Sequence, residues 1–301
     1  EAGANGFTNT LRLKHRKPFV NLPSTRVLYG EEVRGCVVAK EGTKFVCSDL
    51  SAMENIWKFN YQMPYDPEYV KSQQSEDFDP HLSIALMGGL VTEDEVSFFK
   101  IVKEGFPKEN YPQTKRLLEM LSWDADKQNI EIKRISKVRA AGKGTNYSCQ
   151  FGAAAPTVAR TAKIDLSVAK TLVKSYKKMN WSIEPICNSL TKKKVSHGTY
   201  QLNPMNGMWY HLKKDRDSFS TLIQGSGSYL LDIWVAYIFN LRNKPEYDVK
   251  GGLRLVATVH DENLQEFNDL EGNEEIVRKL FDDALKMANK KLNQEIPFGC
   301  D

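Results

Sequence analysis

The chain has 301 residues, of which 41% are hydrophobic and 27% charged, with 42 Lys and Arg against 38 Asp and Glu. That length buries a large core and is expected to divide into two lobes, and the composition excludes a disordered or fibrous chain. The net charge of +4 is too small to announce a nucleic-acid binder by composition alone. No apolar run reaches membrane-spanning length and no secretory signal is expected. The five cysteines, Cys36, Cys47, Cys149, Cys187 and Cys300, form no CxxC pair, which argues against a zinc site or disulfide framework and fits a reducing compartment, the cytoplasm or alternatively an organelle. The chain opens on Glu1 without a methionine, as a fragment, a processed product or a trimmed chain would.

In chain order, residues 1–48 contain turns punctuated by Pro18 and Pro23, with β-prone runs at Arg34–Val38 and Lys44–Cys47. The second run leads into Asp49, and an acid at the end of a buried strand fixes a carboxylate at a cleft. Ser51–Tyr61 has helical spacing, with Met53, Ile56, Trp57 and Tyr61 on its apolar side and Glu54 early in it. Pro64–Pro80 is polar and turn-rich, a linker leading to His81. Residues 82–135 are mainly helical with a break around Gly105–Pro112, and a further helix follows. Residues 157–190 continue helical, split near Pro185, and Lys192–Pro204 is loop or hairpin. Gln224–Gly227 opens an apolar helix, Ser228–Leu241. Leu253–His260 and Leu264–Phe267 are β-prone and form a hairpin with His-Asp-Glu at its tip. Glu274–Leu292 is an amphipathic helix with Ile276, Leu280, Leu285 and Met287 on or near its buried side. Basic clusters at Arg12–Lys17, Lys174–Lys178 and Lys192–Lys194, and an acidic one at Glu271–Glu275, are each solvated faces when taken alone.

The stretch Arg139–Gly152 carries the chemistry. Arg139, Lys143, Tyr147 and Phe151 recur every fourth residue, so they line one slowly winding helical stripe. Two cations followed by two rings suit a ligand with phosphates at one end and a flat base at the other. A basic amphipathic helix that packs both rings into a core has the same pattern. Asp49 and Asp261 each follow a β-prone run, and if those strands are neighbours the carboxylates converge as a site for two Mg²⁺ ions.

Three motifs in order resemble family A DNA polymerases, the bacterial polymerase I type with its phage members. SDLSAMEN is similar to the first acidic motif, at Asp49, Ser51 and Glu54. RAAGKGTNYSCQFG resembles the finger-helix motif, and TVHDE the second acidic motif, at His260, Asp261 and Glu262. Weaker matches lie at Thr10–Arg12, Asn21–Pro23, Arg34, Asp79–His81, and Arg216 with Gln224 and Gly225. The resemblance implies an α+β right-hand fold: an antiparallel palm sheet with helices, into which a helical fingers subdomain is inserted. The division expected is 1–61 palm, 62–200 fingers with an elaborated insertion between His81 and Arg139, and 201–301 palm.

By this resemblance Asp49 and Asp261 hold two Mg²⁺ ions with the Leu50 carbonyl, and Glu262 completes the acidic motif. Glu54 is the steric gate against a ribose 2′-hydroxyl. Arg139, Lys143 and His81 grip the dNTP triphosphate, with Lys143 counted as catalytic. Tyr147 packs beside the incoming sugar and base. Phe151 and Gly152 face the template, and Arg12, Arg216, Gln224 and His260 touch primer–template DNA. Departures at Asn55, Thr258 and Phe151 bear on minor-groove and template contacts, not on the metals. Gly142 and Gly144 flank Lys143, where either a less rigid helix or a close backbone approach to a ligand is expected. Little precedes Arg12, so thumb and exonuclease are expected elsewhere, in a separate polypeptide if anywhere, and Ile296–Asp301 is expected to stop inside a palm strand. A single-subunit RNA polymerase is the rival enzyme, opposed by Glu54. A non-catalytic nucleic-acid-binding fragment is the rival of another class.

Overall fold

The computed structural model describes residues 4–10, 12–15, 22–23 and 27–300. Arg16, Lys17, Pro18 and Asn21, singled out above, lie outside the described residues. The chain divides into two compact units, Glu1–Tyr61 with Leu190–Asp301, and Gln62–Ser189. The fold is α+β, antiparallel sheet combined with helix.

In the first unit β1 (Ala4–Phe7) and β2 (Leu13–His15) form a two-stranded ribbon. The β-prone run at Arg34–Val38 begins instead inside α1 (Gly30–Gly35). β-Propensity yields a strand only where a neighbouring strand takes up the backbone groups, and here Glu31 and Glu32 favour a helix N-terminus. The Arg34 guanidinium ties α1 to the Pro23 carbonyl at 2.7 Å.

The central sheet runs β3 (Thr43–Asp49), β8 (Glu262–Asn268), β7 (Leu253–Val259), all antiparallel. β3 and β8 pair without a slip from Thr43↔Asn268 to Asp49↔Glu262. β7 carries an irregularity between Leu255 and Ala257. With a neighbour on each side, β8 is buried from Asn263 to Phe267. α11 (Ser218–Leu241) and α12 (Asn273–Lys291) pack on each other, with the Trp234 and Phe281 rings edge to face at 6.0 Å and Leu230, Ile238, Leu280 and Ala284 buried. The Trp234 indole N–H donates to the Phe281 carbonyl at 3.0 Å. On α12 the buried stripe is Val277, Leu280, Phe281, Ala284, Leu285 and Ala288, whereas Met287 is 40% exposed. Ile276 and Met287 sit about a quarter turn from the stripe's centre.

α11 begins at Ser218, ten residues before the expected start, so Gly225 and Gly227 are interior helical residues. A helical glycine costs on the order of 1 kcal/mol, and close packing against each of them offsets it. β4 (Lys192–Val195), β5 (Gly198–Leu202) and β6 (Trp209–Leu212) form a second antiparallel sheet in this unit, where the sequence indicated loop or hairpin. α2 (Met53–Gln62) buries Met53 and Trp57, and Trp57 meets Phe298 with ring centroids 5.2 Å apart.

The second unit is helical. α3 (Pro67–Ser72) occupies the stretch expected to be linker: Asp66 caps it, accepting from the Tyr69 amide at 3.3 Å, and Pro67 stands in its first turn. α4 (Pro80–Met87), α5 (Glu93–Glu104), α6 (Lys115–Leu121) and α7 (Ala125–Gln150) follow. Gly105, at φ 80°, ends α5 where the break was expected. α7 is one helix of 26 residues starting at the Asp124 cap, well before Arg139. Its N-terminal half completes a core of Leu82, Val91, Phe98, Leu117, Met120 and Ile135. α8 (Ala155–Ala162), α9 (Leu166–Met179) and α10 (Ile183–Ser189) complete the unit. Pro185 lies in the first turn of α10, where its missing N–H is tolerated, and the chain breaks instead at Lys163 (φ 53°) and after Met179. Among the described residues no helix is long and apolar enough to cross a membrane. The five cysteines are free thiols.

Candidate functional site

In the sheet-bearing unit, Asp49 ends β3 and Glu262 opens β8, and the two are register partners. Opposed residues of such a pair hold their Cβ atoms about 4.5–5.5 Å apart. Val259 pairs with Glu262 on the other side, so His260 and Asp261 are the two-residue tip of the β7–β8 hairpin. The Leu50 amide donates to the Asp261 carbonyl at 3.3 Å, joining the segment just past Asp49 to the tip. Asp49 is exposed, Asp261 and Glu262 half-buried. The Cys47 thiol, two residues back on the face of Asp49, registers their charge. Burial first, then a hydrogen bond to Glu262 and the charges of Glu262 and Asp49, push it up to about 12.

Two non-glycine residues beside these acids have left-handed backbone, Ala52 at φ 49° and His260 at φ 58°. Each conformation costs roughly 1–2 kcal/mol and persists because the surrounding ladder over-determines it. Past Ala52, whose carbonyl accepts from the Asn55 and Ile56 amides, Glu54 sits half-buried in the first turn of α2. That helix is tied down by the Tyr61 hydroxyl and Ser226 Oγ, 2.6 Å apart. Leu50 is buried.

The other residues assigned to DNA contact in this unit differ in setting. A Cβ on Gly225 would meet the Tyr210 ring at 2.8 Å, and one on Gly227 would overlap the Met53 thioether and lie 3.5 Å from Arg12 Nη2. The glycines of QGSG therefore admit neighbours rather than open the helix. Arg12 Nε and Nη2 are buried with no hydrogen-bond partner among the described residues, a costly state that a ligand's acceptors would relieve. Gln224 is half-buried on α11. Arg216 is exposed in a short 3₁₀ turn, 3.9 Å from Asp217, and His260 is exposed at the hairpin tip.

In the helical unit, Arg139, Lys143 and Tyr147 lie on α7, and Phe151 is its C-cap residue, followed by Gly152 at φ 72°. Tyr147 is 46% and Phe151 42% exposed, so the rings of this stripe are not core residues. Lys143 Nζ lies 5.9 Å from the Tyr147 ring centroid, and the His81 and Tyr147 rings are 6.1 Å apart at 39°. Lys143, Tyr147 and His81 are thus gathered at one place.

Arg139 is more committed than the sequence indicated: its Nε donates to Asp79 Oδ2. Asp79 Oδ1 also accepts from the amides of His81 (2.8 Å) and Leu82 (3.0 Å), capping α4. Burial raises the Asp79 pKa, yet the Leu82 amide, the Arg139 guanidinium and the His81 amide together outweigh it and hold the carboxyl below its ordinary value. Arg139 keeps guanidinium donors beyond Nε, and its side chain is 38% exposed. The organising role of Asp79 was missed by sequence reasoning. The available signal was Asp79-Pro80, an N-cap followed by proline at the first helical position.

Gly142 and Gly144 also have a different use from the one expected. A Cβ on Gly142 would overlap the His81 carbonyl, and one on Gly144 would stand 3.1 Å from the Ala162 Cβ. The close approach is to α4 and α8, not to a ligand, and it grips α7 from two sides around Lys143.

No family model matches the chain, and no curated protein matches it. Its fold is that of a polymerase domain. Among solved structures it is similar to the POL domain of Pol1 from M. smegmatis, in complex with DNA primer-template and dNTP. The TM-score is 0.60 at 16% sequence identity, covering 98% of this chain and 45% of that one. At that identity the likeness is one of fold.

Proposed function

We propose that this chain is the palm and fingers portion of a template-directed DNA polymerase of the family A kind, adding deoxynucleotides to a primer 3′-hydroxyl. The observation that carries the reading is the junction of the two acidic motifs, where Asp49 pairs with Glu262 and the Leu50 amide bonds the Asp261 carbonyl.

Among the described residues no group of three or more His, Cys, Asp or Glu side chains is arranged to hold an ion. Two carboxylates and a main-chain carbonyl fall below that count, and such an all-oxygen set fits Mg²⁺, which keeps water and phosphate among its ligands. Asp49, Asp261 and the Leu50 carbonyl are the groups that would hold it. When bound, Mg²⁺ supplies charge neutralisation and activation of the primer hydroxyl.

The remaining work falls to the chain's own side chains. Lys143 and the spare donors of Arg139 neutralise phosphate oxygens, with His81 donating beside them. The half-exposed Tyr147 ring offers its face to the incoming sugar and base, and Phe151 and Gly152 lie at the template side. Glu54 occupies the space a ribose 2′-hydroxyl would need, which disfavours the ribonucleotide reading. Arg12, with two buried N–H groups awaiting acceptors, binds the primer–template together with Arg216, Gln224 and His260.

Primer extension with dNTPs and Mg²⁺ tests the proposal, using the full chain alone and with any separate polypeptide that supplies thumb and exonuclease. Asp49→Ala or Asp261→Ala should abolish extension while leaving DNA binding and the fold largely intact. Near-normal extension by Asp261→Ala would remove the polymerase assignment from this site.

A further inference from the structure

The second sheet of the sheet-bearing unit presents a feature that the polymerase reading does not use. Its register is Lys193↔Tyr200↔His211 and, one step on, Leu202↔Trp209, while Val195 faces Gly198. Side chains alternate across a sheet, so Lys193, Val195, Tyr200, Leu202, Trp209 and His211 share one face. The opposite face is the packed one: Gln201, Tyr210 and Leu212 are buried there, and the Ser218 hydroxyl on α11 donates to Gln201 Oε1 at 2.5 Å. The first face therefore points outward, with Trp209 46% exposed and Lys193 exposed.

The rings on that face are positioned. Tyr200 lies between His197 (5.8 Å, 79°) and His211 (5.3 Å, 56°). Gly198 has φ 147°, and a Cβ there would overlap the His211 imidazole, so the missing side chain lets that ring lie against the strand. The cations beside the rings are Lys193 on β4 and exposed Lys213 and Lys214, which follow β6, whereas Lys192 and Lys194 alternate to the other face and Asp215 stands just beyond Lys214. No acid stands among the six residues of the face.

The geometry points to a binding surface for single-stranded nucleic acid on the outward face of β4–β5–β6, with bases stacked on Trp209 and Tyr200 and phosphates held by Lys193 and Lys213. A flat sheet bearing exposed rings accepts any base, because every base has a π-face, while flanking cations follow the backbone. An acidic protein segment would match the charge but leave the ring faces without planar partners.

The test is titration of the full chain with a short oligothymidylate, without nucleotide or added metal, so that its failure is separate from failure of the polymerase reading. Duplex DNA and polyglutamate are titrated in parallel. Fluorescence is read as the difference between the natural chain and a Trp209→Phe variant, which separates Trp209 from the other four tryptophans, Trp181 among them being 51% exposed. The expected result is quenching on binding the single strand. Affinity should fall about tenfold for Trp209→Ala or Tyr200→Ala and remain for Tyr200→Phe, with a shallower salt dependence for Lys193→Gln. Melting curves confirm that each variant is folded. Unchanged single-strand affinity in folded Trp209→Ala and Tyr200→Ala, or equal binding of polyglutamate, would overturn the assignment.

Discussion

Gly142 leaves no room between α7 and the His81 carbonyl, so the helix bearing Lys143 and Tyr147 meets α4 backbone to backbone at the residue whose ring faces Tyr147. The spacing of His81, Lys143 and Tyr147 depends on that contact.

Gly142→Ala should therefore destabilise the protein by about 1–3 kcal/mol, because the neighbour to be displaced is main chain and cannot rotate away. In an exposed helix the same change would stabilise by up to about 1 kcal/mol. Gly144→Ala, whose new Cβ would stand 3.1 Å from the Ala162 methyl and 3.4 Å from its Cα rather than overlap a carbonyl, should cost less. Denaturant melts of the two variants decide it, and a stabilised Gly142→Ala would contradict the packing.

Asp79 holds both the α4 cap and Arg139, with its carboxyl below the ordinary range. A depressed folded-state pKa gives stability that is present above the unfolded value of about 4 and is lost as pH falls through the lower folded value. Asp79→Asn keeps the cap but not the charge. It should cost about 1–3 kcal/mol at neutral pH and flatten the loss of stability as pH falls below about 4. Melting temperature against pH for both proteins measures this.

Lys58 is fully buried in α2, and burial lowers its pKa to about 7. Between that value and the unfolded value near 10.4, the unfolded chain binds more protons than the folded one, so this group makes stability rise with pH across the window. Lys58→Met keeps the volume without the ammonium. It should remove that rise from the pH profile of stability. An unaltered pH profile in equilibrium unfolding would show that the burial has no such effect.

Glu54→Ala should increase ribonucleotide incorporation relative to deoxynucleotide, since the proposed exclusion rests on side-chain bulk in the first turn of α2. Paired extension assays with matched rNTP and dNTP measure the ratio. An unchanged ratio would take Glu54 out of the gate role.

Tyr147→Phe removes one hydroxyl from a ring that is 46% exposed beside Lys143 and His81. A dideoxynucleotide lacks the 3′-hydroxyl that satisfies polar neighbours in a closed site, and the tyrosine hydroxyl can take its place. An unsatisfied group costs roughly 1–3 kcal/mol, so the phenylalanine variant should discriminate against terminators about tenfold or more. Equal termination at matched concentrations would place Tyr147 away from the nucleotide sugar.

The local pattern determined the pieces. β-Prone runs ending beside Asp49 and His260, and the four-residue recurrence from Arg139 to Phe151, specify a strand–acid, a hairpin tip and one helical stripe, because side-chain periodicity is a property of neighbouring residues. What those faces meet was decided only by tertiary structure. The Asp49↔Glu262 register arises from a ladder between segments far apart in sequence, which no short window encodes. Gly142, Gly144, Gly225 and Gly227 look like weak points in a helix until the packed His81 carbonyl, Ala162, Tyr210 and Met53 are seen. Arg139 is a free cation in the sequence and a partner of Asp79 in the fold. The β4–β5–β6 sheet lay in a stretch of lysines and turn residues whose alternation emerges only when three strands pair and one face closes on α11. Long-range contacts choose among partners that local propensity leaves equivalent.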